Sequence, residues 1–205
     1  MLPVALSRCI VFVLITLFVA TGCTPRGRTD PAVPPTDEAF ENVLGCTYRL
    51  PGPDDCKAVA LIFFGHDCPM SNGYAPEIVR LDAEFSPKGI AFCVIYADAD
   101  LGVDDARKHA QEYGFTCPAI LDPKMSLAMR VGATFKPETA VLSPKGELLY
   151  LGRIDDIYAD FGKRRSQPTC RELKDALNAI LVGKALTVAR TKAIGCSIDF
   201  PEMKK

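Results

Sequence analysis

One cysteine in this chain stands where a buried strand hands over to a helix, and that is the place best suited to thiol chemistry. Cys68 lies in Gly65-His66-Asp67-Cys68-Pro69-Met70-Ser71-Asn72. A thiol attacks only as its thiolate. A helix N-terminus favours that anion, because its first amides lack intrahelical partners and the helix dipole is positive there. The chemistry on offer is thiol–disulfide exchange or thiol oxidation. His66, Cys68 and Met70 alternate along the turn, and imidazole, thiolate and thioether together suit Cu(I). A loop whose side chains are incidentally soft is the simpler reading, so no metal and no cofactor is assigned.

Two elements must position Cys68. Ala58 to Phe64 is an uninterrupted apolar run closed by Gly65, the pattern of a central strand buried on both faces. Beyond the turn, Tyr74, Ile78, Leu81 and Phe85 share one face while Glu77, Arg80, Asp82 and Glu84 fall elsewhere, which predicts an amphipathic helix. Ser86-Pro87-Lys88-Gly89 stops it, and Ile90 to Tyr96 is a second buried strand, so a right-handed parallel crossover is expected. Cys93 inside that strand reads as a packed, inert thiol.

Further on, Asp104 to Tyr113 reads as a polar helix with His109 on its surface. Cys117 to Leu121 is a short strand, Ser126 to Val131 a short helix, and Thr139 to Leu142 a strand. Glu147 to Arg153 pairs back on it through Ser143-Pro144-Lys145-Gly146. Arg171 to Leu181 is a last amphipathic helix. The order βαβ, inserted αβ, ββα belongs to the α/β class. Arg153, Asp155 and Asp156, at a strand end, and Arg164 and Arg165 read as solvated charges.

The chain has 205 residues, with Lys+Arg 24 against Asp+Glu 25. With no run of five or more basic residues, a nucleic-acid partner is set aside. Arg8, the apolar stretch Cys9 to Ala20, and Ala20-Thr21-Gly22-Cys23 read as a signal peptide over residues 1–22. The small residues before Cys23 resemble the lipobox of bacterial lipoproteins, which implies lipidation at Cys23 and an exported, periplasm-facing protein tethered to the membrane of the cell envelope. Residues 23–39, rich in Pro and Thr, read as an extended tether. The folded domain is expected over 40–182, and 183–205 as a flexible-looking tail carrying Cys196. Of nine cysteines, seven remain after Cys9 and Cys23 are set aside, and an odd number leaves at least one free or transiently paired. Cys46 and Cys56 flank Pro51-Gly52-Pro53-Asp54-Asp55 and read as a structural pair across a hairpin.

Taken together these features resemble the redoxin branch of thioredoxin-fold proteins, which includes thiol–disulfide oxidoreductases and AhpC/TSA-like peroxiredoxins. Cys68-Pro69-Met70-Ser71 stands in the place of the family's C-x-x-C, with Pro76 at the family's offset. Lys136-Pro137-Glu138-Thr139 stands where the family carries a cis-proline facing the nucleophile. The unit between Asp100 and Leu121 resembles the redoxin insertion. Asp67 to Asn72, Gly152 to Asp156, and Gly195-Cys196 match bacterial redoxin-domain proteins more narrowly. The resemblance implies a thioredoxin-like three-layer α/β/α sandwich with the redoxin-type inserted αβ unit. It implies a thiol–disulfide oxidoreductase with Cys68 as nucleophile and Pro137 cis. Pro69, Met70, Ser71 and Lys136 would line the groove, where an extended substrate segment adds as a strand beside Cys68. Its partners would be protein or small-molecule thiols and disulfides, and a further redox partner.

The departures are specific. Ser71 replaces the usual second thiol, and Ile62 replaces the acid buried on the central strand. Asp67 replaces an aromatic, so its charge opposes the thiolate while the helix terminus favours it. The peroxiredoxin motif P-x-x-x-T-x-x-C meets Leu61 and Gly65, which argues against a tuned peroxide pocket. A peroxiredoxin-like antioxidant and a non-enzymatic binding module are the alternatives. The missing thiol must come from elsewhere: Cys196 is available either to resolve Cys68 or to clasp Cys170.

Overall fold

The structure is a computed structural model that describes residues 39–44, 47–49 and 55–201. The signal segment, Cys23, nearly all of the tether, and Cys46 with its pairing to Cys56 lie outside the described residues.

Strand β3 (Ala58–Phe64) is the centre, and it is buried along its whole length. It pairs in parallel with β4 (Ile90–Tyr96), which pairs in parallel with β5 (Ala119–Leu121). On its other side β7 (Glu138–Leu142) and β8 (Leu148–Gly152) run antiparallel, so the sheet order is β5-β4-β3-β7-β8. A short hairpin of β1 (Ala39–Glu41) and β2 (Thr47–Arg49) precedes β3, and its Asn42 bridges Ile120 at the β5 edge. Two small ribbons complete the strands. Strand β6 (Phe135–Lys136) pairs with β11 (Cys196–Ser197), and β9 (Tyr158–Asp160) with β10 (Lys163–Arg164).

The helices are α1 (Pro69–Phe85), α2 (Val103–Glu112), α3 (Ser126–Val131) and α4 (Glu172–Leu181). Successive side chains of a strand point to opposite faces, and β3 sorts accordingly. Ala58, Ala60, Ile62 and Phe64 pack with residues of α1, α2 and α4, while Val59, Leu61 and Phe63 pack with α3. These are the three layers of a thioredoxin-like α/β/α sandwich, and the inserted αβ unit is α2 with β5. Ile62 is fully buried among apolar neighbours, so no carboxylate sits at that position.

Three expectations change. First, the stretch after α4 is a strap and not a loose tail. The Thr191 N–H donates to the Leu151 carbonyl at 3.1 Å and the Leu151 N–H to Ala189 at 2.9 Å, and Ala193 and Ile198 are 2% exposed. Second, His109 is buried on α2, because Tyr96 Oη at 2.8 Å and Asn72 Oδ1 at 3.1 Å satisfy its two ring nitrogens. A buried polar group needs such partners, and with both met the ring stacks on Tyr113. Third, Asp155 and Asp156 are buried. Asp156 accepts from the Thr169 and Cys170 amides at 2.6 and 2.8 Å and from the Thr169 hydroxyl, tying down the β8–α4 connection. Arg153 pairs with Glu172.

Candidate active site

Cys68 is the N-cap residue of α1, in extended backbone, with Pro69 in the first turn, where a missing N–H costs nothing. The turn before it is closed by the Cys68 amide on the Gly65 carbonyl at 3.2 Å. Ser71 Oγ accepts the Gly65 N–H at 3.2 Å, which leaves the hydroxyl proton of Ser71 available to the sulfur. Asn72 braces the same turn, since its side-chain amide donates to the His66 carbonyl at 3.0 Å while its oxygen faces His109. His66 Nδ1 lies 2.9 Å from Asp98 Oδ2 without hydrogen-bond alignment.

Opposite Cys68 the Lys136–Pro137 peptide bond is cis. Cys68 Sγ lies 3.4 Å from the Lys136 carbonyl oxygen. On the far side of that carbonyl runs β11, with Cys196 opposite Lys136 and Ser197 opposite Phe135. This register brings Cys196 Sγ to 2.6 Å from Cys68 Sγ, across 128 positions of sequence. A small closing movement would reach the covalent S–S distance of about 2.05 Å. Two glycines make the approach feasible. A Cβ at Gly195 would collide with the Lys136 carbonyl, and one at Gly152 would collide with Thr191 of the strap.

The two thiols are electrostatically unequal. Burial pushes Cys68 up, but the Cys196 thiol and the amide and hydroxyl of Ser71 stabilise its anion, and its pKa is held below the ordinary thiol value. Cys196 is pushed up to about 12, first by burial and then by the hydrogen bond and negative charge of Cys68, with Asp67 adding to the rise and Lys136 opposing it. Asp67 is exposed and its charge acts on Cys196. In this arrangement the negative charge is favoured on Cys68 and the proton on Cys196.

Of the expected groove residues, Lys136 lines the same shallow groove as Cys68 and Cys196, a space of about 530 Å³ that Phe135, Phe161 and Asp199 also border. Pro69 is exposed at the helix start, whereas Met70 is in the core and Ser71 is buried behind the sulfur. Cys170 is exposed on the β8–α4 connection, with its amide on Asp156, so Cys196 faces Cys68 and no Cys170–Cys196 clasp is present. Cys93 is fully buried, and burial drives its thiol well above the ordinary value. Phe161 and Asp199 were not anticipated. Each lies in irregular chain, where only the isolated aromatic of Asp160-Phe161-Gly162 offered a signal.

No family model matches the sequence, and no curated protein matches it. Solved structures do match. An uncharacterized conserved protein from Geobacillus kaustophilus is 25% identical, with 84% of this chain and 92% of that chain covered and a TM-score of 0.73. A hypothetical protein from Sinorhizobium meliloti 1021 is 22% identical over 82% and 93%, with a TM-score of 0.72. A thiol-disulfide oxidoreductase from Bacteroides fragilis is 18% identical over 60% and 90%, with a TM-score of 0.51. The chain has the thioredoxin-like fold of the redoxin type.

Proposed function

We propose that this protein is a thiol–disulfide oxidoreductase whose redox pair is Cys68 and Cys196. The observation that carries the reading is the 2.6 Å approach of the two sulfurs beside the cis Lys136–Pro137 bond. The likeness to a named thiol-disulfide oxidoreductase of the same fold supports the reaction class.

The Cys68 thiolate attacks one sulfur of a disulfide, RS–SR, forming a Cys68–SR bond and releasing RS⁻. That step removes the negative charge on Cys68, which is one of the causes holding the Cys196 proton in place. Cys196 then loses its proton to the solvent or to the released thiolate, and attacks the Cys68 sulfur. The Cys68–Cys196 bond forms and the second RS⁻ leaves. Two protein thiols are oxidised and one external disulfide is reduced to two thiols; run in reverse, the pair donates a disulfide. Ser71 takes no electrons in this cycle and serves to stabilise the Cys68 anion.

The amino-terminal pattern supports export and a lipid anchor at Cys23, residues outside those described. Among the described residues no helix is long and apolar enough to cross a membrane. The test is mass mapping of reduced protein treated with oxidised glutathione. A Cys68–Cys196 peptide is expected, none in Cys68→Ser, and a Cys68–glutathione adduct that goes no further in Cys196→Ser. Recovery of a Cys170–Cys196 bridge beside an unmodified Cys68 would overturn the proposal.

A further inference from the structure

In the thioredoxin-like fold the backbone before the cis-proline is an open strand edge beside the nucleophile, and extended polypeptides bind such edges through main-chain hydrogen bonds. In this chain the edge is occupied by the chain itself. Cys196 and Ser197 pair antiparallel with Lys136 and Phe135, and the Ile198 N–H donates to the Thr134 carbonyl at 2.9 Å. The strap is anchored on both sides of that contact. Upstream, Thr191 is bonded to Leu151, its hydroxyl meets Tyr150 Oη at 2.9 Å and accepts the Arg153 N–H at 2.9 Å, and Ala193 is buried. Downstream, Ile198 is buried against the face of the sheet that packs on α3. Gly195 passes so close to the Lys136 carbonyl that no second chain fits between them. Cys68 itself is 2% exposed and is reached through the groove of about 530 Å³ that it shares with Lys136, Asp67 and Phe161.

We propose that the disulfide attacked by Cys68 belongs to a small molecule, a low-molecular-weight disulfide that enters this groove, and that the strap shuts out polypeptide disulfides. The inference rests on the oxidoreductase reading above and narrows its substrate class. The step is the one already balanced: the small disulfide is reduced to two thiols, and Cys68 and Cys196 are oxidised to their disulfide. A polypeptide reaches Cys68 only when residues 195–198 leave β6, and in that state Cys196 is no longer in place to resolve it.

Capture at Cys68 reads this directly in the Cys196→Ser protein, where the mixed disulfide persists and peptide mapping separates it from adducts at other cysteines. The probes are oxidised glutathione and insulin at equal disulfide concentration. With the strap in place, glutathione capture is expected to exceed insulin capture by about tenfold or more, the scale set by losing a strand-pairing site. Adding Gly195→Ala, which forces β11 off the Lys136 carbonyl, should raise insulin capture relative to glutathione capture about tenfold. Ile198→Asp releases the strap from its other end and should give the same gain, with circular dichroism confirming that each protein is folded. Insulin capture as fast as glutathione capture with the strap closed would overturn the proposal, as would no gain in either released variant. Failure of Cys68 to capture either probe would instead remove the oxidoreductase reading itself.

Discussion

Ser71 decides how Cys68 works. At the fourth position of Cys-Pro-Met-Ser it supplies no second thiol, and its oxygen is committed to the Gly65 amide. Its proton is what remains for the sulfur, and together with its amide and the Cys196 thiol it outweighs the burial that pushes Cys68 up. A lowered pKa puts more thiolate at a given pH, so alkylation of Cys68 should rise with pH through a midpoint below that of an ordinary thiol. In Ser71→Ala that profile should move to higher pH, and Cys196→Ala should move it the same way. Iodoacetamide rates at Cys68, read by peptide mass between pH 6 and 10 (a range spanning roughly the thiol values met in proteins), check this; profiles that coincide would remove Ser71 from the anion's support. Cys68 was legible in the sequence because the apolar run and the helical period around it fix its place. The partner of Cys196 was not. Cys68 and Cys170 are both compatible with its sequence position, and the choice is made by where an aperiodic strap crosses β6. Gly195 and Gly152 held that information, yet a glycine says only that something comes close and not what it is.

The strap and the helices show why periodic elements were readable and their connections were not. Strand β3 and helix α1 fall on the expected residues, since alternation and the helical period are properties of neighbouring positions. The strap has no period and, beyond the β6–β11 pairing, is held by scattered hydrogen bonds, two with Leu151 and one each with Tyr150, Arg153 and Thr134. Gly152→Ala should therefore act on the strap first. Its Cβ runs into Thr191, and relieving such overpacking costs about 1–3 kcal/mol. Urea titration measures the loss, and exposure of Cys196 to maleimide should increase in parallel; a stable variant with Cys196 still shielded would mean that the strap is held elsewhere. His109 was misread because Asp104, Asp105, Arg107 and Lys108 dominate α2, although Ala106, His109, Ala110 and Tyr113 form one stripe. Asn72 donates its amide N–H to His66, so its oxygen takes the proton on His109 Nε2, and Nδ1 then accepts from Tyr96. This neutral ring has a lowered pKa, chiefly from burial and then from His66. The unfolded chain thus binds a proton more readily than the folded one. The stability from His109 is complete above its unfolded value of about 6.5 and is lost as pH falls from there through the folded value. A urea midpoint that drops between pH 7.5 and 5.5 in the wild type and drops less in His109→Gln, a comparison spanning roughly that unfolded value, is the expected outcome.

At the scale of the whole molecule, the Cys68–Cys196 pair joins the start of α1 to β11, and between them lie every strand from β4 to β10 and helices α2, α3 and α4. A bond across 128 positions closes most of the folded body into one loop. Closing a loop of that length removes unfolded-state entropy worth up to about 5 kcal/mol, with about 2–4 kcal/mol usual for disulfides. The oxidised protein should therefore melt roughly 5–15 °C above the reduced one, at about 2–4 °C per kcal/mol for a domain of this size. In dithiothreitol Cys196→Ser should melt like the reduced wild type, and without it the variant should lack the gain that the Cys68–Cys196 bond gives the oxidised wild type. The same free energy must appear in the redox couple, because folding and oxidation close one thermodynamic cycle. Whatever the bond adds to the fold, the fold adds to the bond, and about 30 mV corresponds to about 1.4 kcal/mol for a two-electron couple. The folded pair should thus be about 40–90 mV harder to reduce than the same cysteines in the unfolded chain. Equilibration in dithiothreitol redox buffers, with and without denaturing urea, gives this difference independently of the melts. Agreement would assign the couple to Cys68 and Cys196, whereas equal melting of the two forms together with equal potentials would mean that the strap gains nothing from the bond. In that case the fold would hold the two sulfurs together without favouring their union, and Cys68 would act as a single thiol.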